Sequence, residues 1–256
     1  MMKTRTDEIA EAWRESALAE IPRQELMLVT DFDGTLAEIG PDPARSAALP
    51  EALAALRRLA TLLKRVVVLS SRTPEELERL VPLRGIQLIG DSGLRLPGPG
   101  ERQKLDFFNS QAAKSLADMP GVWLEIKPAS TTIHLRNSPA TSDEILARVA
   151  PTLDATGLDA SPGRKVIEVH VAQAGKGNTL AGLLEEVKPG GLVVLGDDEN
   201  DRSLFMVAGG QTIPHLCVGV ASAEVSPDLF ERCDVVLSGP RDVAALLRLI
   251  ADDAEE

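Results

Sequence analysis

The stretch Leu26-Met-Leu-Val-Thr-Asp-Phe-Asp-Gly-Thr-Leu36 is a short apolar run that ends in two aspartates. Its apolar residues and Thr30 predict a buried strand, and Asp31 and Asp33 follow at the carboxyl end. Ligands of open α/β sheets bind at that end of the strands, so we expect both carboxylates at the mouth of a crevice. Burying unpaired carboxylates is costly, and a cation is therefore expected near them. Taken alone, the stretch also fits a polar Asp-Gly turn, and the rest of the chain has to decide.

The composition describes an acidic globular protein with a hydrophobic core. The 256 residues carry a formal net charge of −12 at pH 7, which argues against nucleic acid as the main partner. Residues 1–20 contain no long apolar run, so we expect a cytoplasmic protein without a membrane span. The segment Glu8–Arg14 predicts a helix that packs Trp13 on the domain. A disulfide between Cys217 and Cys233 is possible in principle, but two small buried thiols are the preferred interpretation.

The first ninety residues alternate between strand and helix patterns. After the break at Pro41-Asp-Pro-Ala44, Pro50–Leu63 repeats leucine at helical spacing. Arg65–Arg72 is a β-branched run that ends in hydroxyls and a base. Thr73 is a candidate cap for the next helix, and Ile86–Gly90 is a third short strand. This order predicts a parallel sheet with right-handed crossovers.

The middle of the chain shows a different pattern. Gly93–Pro97 is interpreted as a hairpin arm, and Pro97–Gly100 as a linker. Beyond the linker we predict helices over Leu105–Met119 and Ser142–Leu153, and strands over Gly121–Lys127, Thr131–Arg136 and Lys165–Val171. Alternating polar and apolar residues are typical of half-exposed strands, so this region predicts a small antiparallel sheet with helices on one side.

The parallel pattern then resumes. We predict a helix over Leu180–Val187, a core strand over Gly191–Gly196, edge strands over Cys217–Val220 and Asp234–Leu237, and a last helix over Arg241–Ile250. The predicted fold class is α/β, with a Rossmann-like parallel sheet core, helices on both faces and an inserted α+β domain. The predicted divisions are an N-terminal helix at 1–24, a core at 25–100 and 172–256, and the inserted domain at 101–171.

Acidic residues recur at the predicted strand ends. Asp31 and Asp33 follow the first strand, and Asp197, Asp198 and Asp201 follow the later core strand. Carboxylates that converge from two strands suit a hard cation, and Mg²⁺ prefers a few carboxylate or carbonyl oxygens with waters and a phosphate. The sequence therefore predicts a magnesium and phosphate site at this edge of the sheet.

A phosphate also needs a hydroxyl, backbone N–H groups and a fixed positive charge. Ser70, the Asp33-Gly34 loop and Lys176 are the candidates. Two aspartates one residue apart suggest that one carboxylate attacks phosphorus to form an aspartyl-phosphate. The other would protonate the leaving alcohol and then activate water. Mg²⁺ and Lys176 would offset the repulsion between the anionic nucleophile and the anionic substrate.

Four segments resemble, in order and strand placement, the motifs of the haloacid dehalogenase-like phosphohydrolases. They are Asp31-Phe-Asp-Gly-Thr35, Ser70, Lys176 and Gly196-Asp-Asp-Glu-Asn-Asp201. The resemblance implies that Asp31 is the nucleophile and Asp33 the acid/base. It also implies that Ser70 and Lys176 contact the phosphate. Mg²⁺ would be bound by Asp31, the Asp33 carbonyl and Asp197, and Asp201 would support the metal waters or the lysine.

Further segments resemble the trehalose-6-phosphate phosphatase family. They are Asp31–Ile39, Glu125-x-Lys127, His134-x-Arg136, Glu168-Val169 and Lys176-Gly177. In that family the insertion is a cap that closes over the core and reads the sugar. The resemblance implies a set of substrate-binding candidates: Arg72, Glu125, Lys127, His134, Arg136, Arg164, Lys165 and Glu168. Ordinary charge pairs on a solvated sheet face are the alternative for the cap residues.

The chain departs from the family pattern at four positions that bear on sugar recognition. Ser92 replaces a histidine after the third strand, Leu135 replaces a tyrosine, His170 replaces an arginine or lysine, and Asn200 replaces a threonine. The catalytic acids are all present. The departures therefore affect the expected sugar and leave the expected hydrolysis unchanged.

The resemblance implies a Mg²⁺-dependent phosphoric monoester hydrolase that converts trehalose 6-phosphate to trehalose and phosphate in trehalose biosynthesis. One alternative is the same chemistry on a glucosyl- or mannosylglycerate phosphate or on sucrose phosphate. The others are a weakly catalytic sugar-phosphate sensor and a phosphoryl-transfer mutase. We expect a small sugar phosphate as the partner, a monomeric chain, and neither nucleic acid nor membrane as a partner.

Overall fold

The computed structural model describes residues 5–40, 45–163, 165–171, 175–222 and 225–253. The chain divides into two compact units. The core unit comprises Met1–Gly93 and Lys176–Glu256, and the inserted unit comprises Leu94–Gly175. The sequence placed these divisions at 100/101 and 171/172, and it set residues 1–24 apart from the core. The predicted chain break at Pro41–Ala44 and the candidate Arg164 lie outside the described residues.

The described residues form eight α-helices and ten β-strands. The helices are α1 (Arg5–Glu15), α2 (Pro50–Leu62), α3 (Pro74–Leu80), α4 (Pro99–Ser115), α5 (Ser142–Thr156), α6 (Lys176–Val187), α7 (Arg202–Gly209) and α8 (Pro240–Asp252). The strands are β1 (Leu26–Thr30), β2 (Arg65–Leu69), β3 (Gln87–Ile89), β4 (Trp123–Ile126), β5 (Ser130–His134), β6 (Leu158–Gly163), β7 (Val166–Val171), β8 (Gly191–Gly196), β9 (His215–Val220) and β10 (Val235–Leu237).

A six-stranded parallel sheet in the order β10-β9-β8-β1-β2-β3 forms the core unit. All five residues of β1 are buried. In this central strand, Leu28 pairs with Val66 of β2 on one side and with Val193 of β8 on the other. The strand order runs outward in opposite directions from β1, so its carboxyl end is the switch point at which such sheets form a crevice. The predicted parallel core is confirmed.

Two hydrophobic clusters cover the core sheet. Leu28 of β1 belongs to the first cluster, together with apolar residues of α1, α2 and α8. Met27, the preceding residue, belongs to the second cluster with residues of α6 and α7. Because neighbouring strand residues point to opposite faces, the sheet has helices on both faces. The predicted N-terminal helix is present as α1, and Trp13 is fully buried in the first cluster.

A four-stranded antiparallel sheet in the order β4-β5-β7-β6 forms the inserted unit. Ile133 of β5 and Ile167 of β7 pack in one cluster with Phe108 of α4 and Ile145 of α5. The Thr141 hydroxyl accepts a hydrogen bond from the N–H of Glu144 and caps α5. The predicted antiparallel sheet with helices packed on one face is therefore confirmed.

The segment before α4 differs from the sequence interpretation. Residues 94–98 contain no strand, so the predicted hairpin arm at Gly93–Pro97 is wrong. Pro97–Gly100 is not a linker either, because Pro99 begins α4 and the Gly98 N–H donates to Glu101 Oε2 at 2.8 Å. Proline in the first turn followed by an acid is a helix-start signal. The helix also ends at Ser115 rather than at Met119.

Other boundaries differ in ways that matter for the site. The helix predicted from Leu180 begins at Lys176, which puts that lysine in the first turn.

The strand β6 was missed, because its Ser-Pro-Gly sequence has no strand pattern. Of the two predicted edge strands, β10 lies at an edge of the core sheet, whereas β9 lies between β8 and β10. Cys217 and Cys233 are both free thiols.

Within the described part of the chain, no helix combines the length and the apolar character that a bilayer crossing requires.

Candidate active site

The loop after β1 places the two aspartates of the first motif. The Asp31 N–H donates to the Leu195 carbonyl at 3.0 Å, which ties the loop to β8. Gly34 has φ +77°, and a Cβ atom there would lie 1.9 Å from Asp197 Oδ2. Only glycine combines that backbone conformation with so close an approach. The Gly34 turn therefore brings the first motif against Asp197 of the last one.

The loop after β8 is organised by a buried carboxylate. Asp201 is fully buried, and its Oδ2 accepts the N–H groups of Asp197 at 2.9 Å and Asp198 at 3.2 Å. Gly196 allows this fold, because a Cβ atom there would lie 2.5 Å from the Asp201 side chain. Asp201 thus shapes the loop that carries Asp197.

Lys176 joins the two acidic loops. Its Nζ lies 3.0 Å from Asp31 Oδ1 and donates to Asp201 Oδ1 at 2.7 Å. The side chain starts at the first residue of α6, where the next residue, Gly177, donates its N–H to Ser203 Oγ at 3.1 Å. Lys176 is almost fully buried. A buried cation paired with two carboxylates is a fixed positive charge beside the predicted nucleophile.

Burial and charge repulsion shift the pKa values of this group. Burial raises the pKa of Asp31 well above the ordinary carboxyl range, against the lowering effect of Lys176. Burial, followed by repulsion from Asp198 and Asp31, raises the pKa of Asp197 in the same direction. Burial opposes the charge of Lys176, but Asp201 and Asp31 outweigh it and raise the pKa of the ammonium. Burial and mutual repulsion thus disfavour the charged forms of Asp31 and Asp197, even with Lys176 beside them.

The acidic cluster fits a divalent cation. Oxygens of Asp31, Asp197 and Asp201 all lie within 4.8 Å of one another. Asp201 already uses both oxygens, on Lys176 and on the backbone N–H groups. Asp31 and Asp197 are therefore the better candidate ligands, and oxygen donors of this kind suit Mg²⁺.

The end of β2 carries the second motif. Ser70 is buried, its N–H donates to the Ile89 carbonyl at 3.0 Å, and its carbonyl accepts the N–H of Ser92 at 2.7 Å. The Ser70 hydroxyl also accepts the Arg72 N–H at 3.3 Å. The loop after β2 is thereby held to β3, with the serine at the carboxyl edge of the sheet.

Arg72 binds an aspartate of the first motif. Its Nε donates to Asp33 Oδ2 at 2.7 Å, and a second guanidinium nitrogen donates to Asp33 Oδ1 at 2.8 Å. Ser46 Oγ donates to the same Oδ1 at 2.9 Å. Sequence reasoning missed Ser46, which follows the proline-containing break and belongs to no motif. Arg72, a predicted substrate-binding residue, thus lies in direct contact with the predicted acid/base.

Four of the polar candidates in the inserted unit share the sheet face that is opposite the helices, namely Glu125, Lys127, His134 and Glu168. Glu125, Thr132 and Glu168 pair directly across β4, β5 and β7. Glu125 Oε2 lies 2.8 Å from His134 Nε2, and the His134 ring stacks on Trp123 with centroids 3.8 Å apart. Sequence reasoning missed Trp123, although its alternate spacing with Glu125 indicated the same face. We call this surface the polar sheet face; it is formed by Trp123, Glu125, Lys127, Thr132, His134 and Glu168.

Glu168 is the most buried charge of the polar sheet face. It is 4% exposed. Its Oε1 accepts the Ser130 hydroxyl at 3.0 Å and lies 4.0 Å from Lys127 Nζ. By contrast, Arg136, which follows β5, and Lys165, which lies between β6 and β7, are exposed. The structure therefore brings Lys127 and Glu168 together, pairs Glu125 with His134, and leaves Arg136 and Lys165 outside the two pairs.

The structure gives the local surroundings of the four residues that depart from the family pattern. Leu135 is buried in the core of the inserted unit. His170 lies on the opposite face of the sheet, between Ser161 Oγ at 2.9 Å and the Val171 carbonyl at 3.0 Å. In the core unit, Ser92 is buried with φ 56°, and the Asn200 N–H donates to Asp198 Oδ1 at 2.9 Å. Each of the four residues therefore has packing contacts or hydrogen bonds with residues close to it in the fold.

Comparison with known proteins gives the family of the chain. Residues 29–228 match the family described as trehalose-phosphatase. The chain belongs to this family. The trehalose-phosphate phosphatase of Mycobacterium tuberculosis is 33% identical over 202 residues, which cover 72% of this chain and 51% of that protein. The bifunctional trehalose-6-phosphate synthase/phosphatase of Thermoproteus tenax is 32% identical over 197 residues, covering 71% of this chain and 27% of that protein. The chain spans about half the length, or less, of these relatives.

A solved structure supports the fold of this trehalose-phosphatase family member. The C-terminal domain of C. albicans trehalose-6-phosphate phosphatase superposes with a TM-score of 0.72 and 20% identity, and the match covers 97% of each chain. At 20% sequence identity, this structural similarity shows that the two chains share a fold. The family resemblance and the α/β fold with its inserted antiparallel sheet, both predicted from the sequence, are confirmed.

Proposed function

We propose that this chain is a Mg²⁺-dependent phosphatase that hydrolyses trehalose 6-phosphate to trehalose and phosphate. The observation that carries the proposal is the buried cluster in which Lys176 bridges Asp31 and Asp201 beside Asp197. The names of the relatives from M. tuberculosis and T. tenax supply the substrate. Family membership, together with this cluster, supports hydrolysis of a phosphate monoester.

In the proposed mechanism, the first half-reaction transfers the phosphoryl group to the enzyme. An Asp31 oxygen attacks phosphorus, the bond between phosphorus and the sugar oxygen breaks, and Asp33 gives a proton to the leaving alcohol. The second half-reaction hydrolyses the aspartyl-phosphate. Asp33 takes a proton from water, the water oxygen bonds to phosphorus, and the Asp31 carboxylate leaves as phosphate is released.

Charge stabilisation is assigned to the remaining residues of the cluster. Lys176 would stabilise the negative charge of the transferring phosphoryl group, and Ser70 would hydrogen-bond to it. Mg²⁺, held by Asp31, Asp197 and the Asp33 carbonyl, would supply further positive charge at that group when bound. The raised pKa values of Asp31 and Asp197 support this assignment, because a cation would offset both the burial of these carboxylates and the repulsion between them, which together raise the pKa values.

Sugar recognition is assigned to the polar sheet face. Glu125, Lys127, His134 and Glu168 lie there, and carboxylates paired with a lysine and a histidine suit the hydroxyls of a disaccharide. Arg136 and Lys165 remain candidates on the basis of sequence alone. The alternatives, a related glycosyl phosphate or a sensor with weak catalysis, differ from this proposal in the sugar or in the turnover.

A substrate panel tests the proposal. Phosphate release is measured with trehalose 6-phosphate, sucrose 6-phosphate, glucosylglycerate phosphate and glucose 6-phosphate, each with Mg²⁺ and with excess chelator. We expect the highest kcat/KM for trehalose 6-phosphate and loss of turnover in the chelator. A higher value for another ester contradicts the proposed sugar. Tight binding of the substrate with no phosphate release favours the sensor. Cytoplasmic location and a monomeric state stay predictions.

A further inference from the structure

The ion pair between Arg72 and Asp33 is a two-point contact within the core unit. Two guanidinium N–H groups reach the two carboxylate oxygens, at 2.7 Å and 2.8 Å. Such parallel bonds fix the plane of a carboxylate as well as its position. Ser46 Oγ donates a third hydrogen bond to this carboxylate, to Oδ1 at 2.9 Å. Without these contacts, the Asp33 side chain, which is 33% exposed, has several rotamers open to it.

Arg72 is itself held on several sides. Its side chain is only 9% exposed, and its guanidinium lies 5.7 Å from the centroid of the Phe32 ring. A third nitrogen lies 3.6 Å from Glu76 in the first turn of α3. Its carbonyl accepts the Asp91 N–H at 2.7 Å, which anchors the backbone. The hydrogen bonds to Asp33 raise the pKa of the guanidinium. A group fixed in this way can serve as a rigid support for a neighbour.

We propose that Arg72 is a positioning residue that acts on the reaction through Asp33, and that it is not a sugar-binding residue. The inference rests on the proposed phosphatase function. Each carboxylate oxygen has two lone pairs. Oδ1 accepts from both Arg72 and Ser46, whereas Oδ2 accepts from Arg72 alone, so Oδ2 can still exchange a proton with the alcohol or with water. Arg72 and Ser46 set the direction from which that exchange occurs.

A sugar-binding role for Arg72 would give a different kinetic signature from a positioning role. A residue that binds substrate uniformly raises KM when it is removed and leaves kcat unchanged. A residue that orients the acid/base lowers kcat, because proton transfer depends on the geometry of Asp33. The two roles also differ in combination with Asp33. Once Asp33 is replaced, a residue that acts only through it has nothing left to orient.

A double-mutant cycle tests this inference. Arg72→Gln, Asp33→Asn and the double variant are compared with the unmodified chain by phosphate release from trehalose 6-phosphate. We expect Arg72→Gln to lower kcat by about 10- to 100-fold, with KM changed far less. We expect the double variant to match Asp33→Asn within about 2-fold, since the two residues act as a unit. Losses that multiply, or a rise in KM alone, would overturn the proposal.

Two further variants separate positioning from a loss of structure. Arg72→Lys keeps a positive charge but not the two-point geometry, so we expect it to restore only part of kcat. Arg65→Gln, at the first residue of β2 and outside the site, is the matched control and is expected to keep full activity. Circular dichroism and thermal unfolding are recorded for every variant. Full rescue by Arg72→Lys contradicts the two-point requirement.

The outcome for the unmodified chain separates this inference from the proposed function. If it hydrolyses p-nitrophenyl phosphate but not trehalose 6-phosphate, the proposed sugar is wrong, and the cycle is completed with the aryl ester. If it hydrolyses neither, both the function and the role of Arg72 are contradicted. If it hydrolyses trehalose 6-phosphate and the losses multiply, only the inference about Arg72 is wrong.

Discussion

The acidic cluster of the core unit and the polar sheet face of the inserted unit are built on opposite principles. The cluster joins Asp31, Lys176 and Asp201 from distant parts of the chain, and all three are nearly or fully buried. The polar sheet face joins neighbouring strands by register, and its Glu125–His134 pair is partly exposed. A buried network tolerates little change, because a lost partner leaves a charge unpaired. A half-exposed face can accept substitutions. Under the proposed function, we therefore expect the residues of the reaction to tolerate less change than the residues that bind the sugar.

The largest test of this comparison is Asp31→Asn. Without a charged nucleophile we expect kcat to fall by roughly 10⁴-fold or more, as for other catalytic nucleophiles. Lys176 keeps Asp201 as a partner, so the fold is expected to persist. Phosphate release and circular dichroism measure the two effects, with the exposed Asp106→Asn as the control. Turnover within tenfold of the unmodified chain would rule out the proposed nucleophile.

The second test is Gly34→Ala, with Gly40→Ala as its control. The added Cβ would lie 1.9 Å from Asp197 Oδ2 at a φ of +77°, whereas Gly40 has nothing within 4 Å. We expect Gly34→Ala to cost about 1–2 kcal/mol from the left-handed conformation alone, and to displace Asp197 with a large loss of activity. Denaturant unfolding and phosphate release check this. Equal behaviour of the two variants would show that the close approach is unimportant.

On the polar sheet face, a smaller effect is expected from Glu168→Gln. The change keeps the shape of the side chain and removes the charge near Lys127, so binding of the sugar should weaken. We expect KM for trehalose 6-phosphate to rise about tenfold, which corresponds to a loss of about 1.4 kcal/mol in binding free energy. We expect kcat for p-nitrophenyl phosphate to stay unchanged. Glu144→Gln, on the helical side of the inserted unit, is the control. A fall in kcat for both substrates would mean that Glu168 does more than read the sugar.

The smallest expected effect is the dependence of metal stabilisation on pH. The pKa values of Asp31 and Asp197 are raised in the folded chain, above all by burial. Without metal, the folded chain therefore binds more protons than the unfolded chain above the ordinary carboxyl range, and stability falls as pH rises through that window. A bound cation would stabilise the charged forms of these two carboxylates. We expect Mg²⁺ to raise Tm by a few degrees near neutral pH and by less near pH 5, measured against K⁺ at equal ionic strength. A larger rise at the lower pH would contradict the assignment.

The sequence predicted the core unit well because its signals are local. A fully buried parallel strand such as β1 reads as a continuous apolar run, and the acids that follow it must lie at its carboxyl end. The same reasoning located Ser70, Lys176 and Asp197. It did not reveal the Arg72–Asp33 pair, because no local pattern states which carboxylate an arginine will face across two strand ends.

The inserted unit was harder to predict because its strands depend on pairing. The strand β6 contains Pro162 and Gly163 and has no alternating pattern, and pairing with β7 alone makes it a strand. The start of α4 at Pro99 was misread, since Gly and Pro signal both linkers and helix ends. Ser46 was missed because its role depends only on the tertiary fold.

The stacked pair of Trp123 and His134 gives the protein an optical property of its own. The chain has two tryptophans and no tyrosine. Trp13 is fully buried in the core unit, while Trp123 is 52% exposed on the polar sheet face. Each unit therefore carries one intrinsic fluorophore in a contrasting environment. Emission from Trp123 can report events at that face without an attached label, with Trp13 as the internal reference.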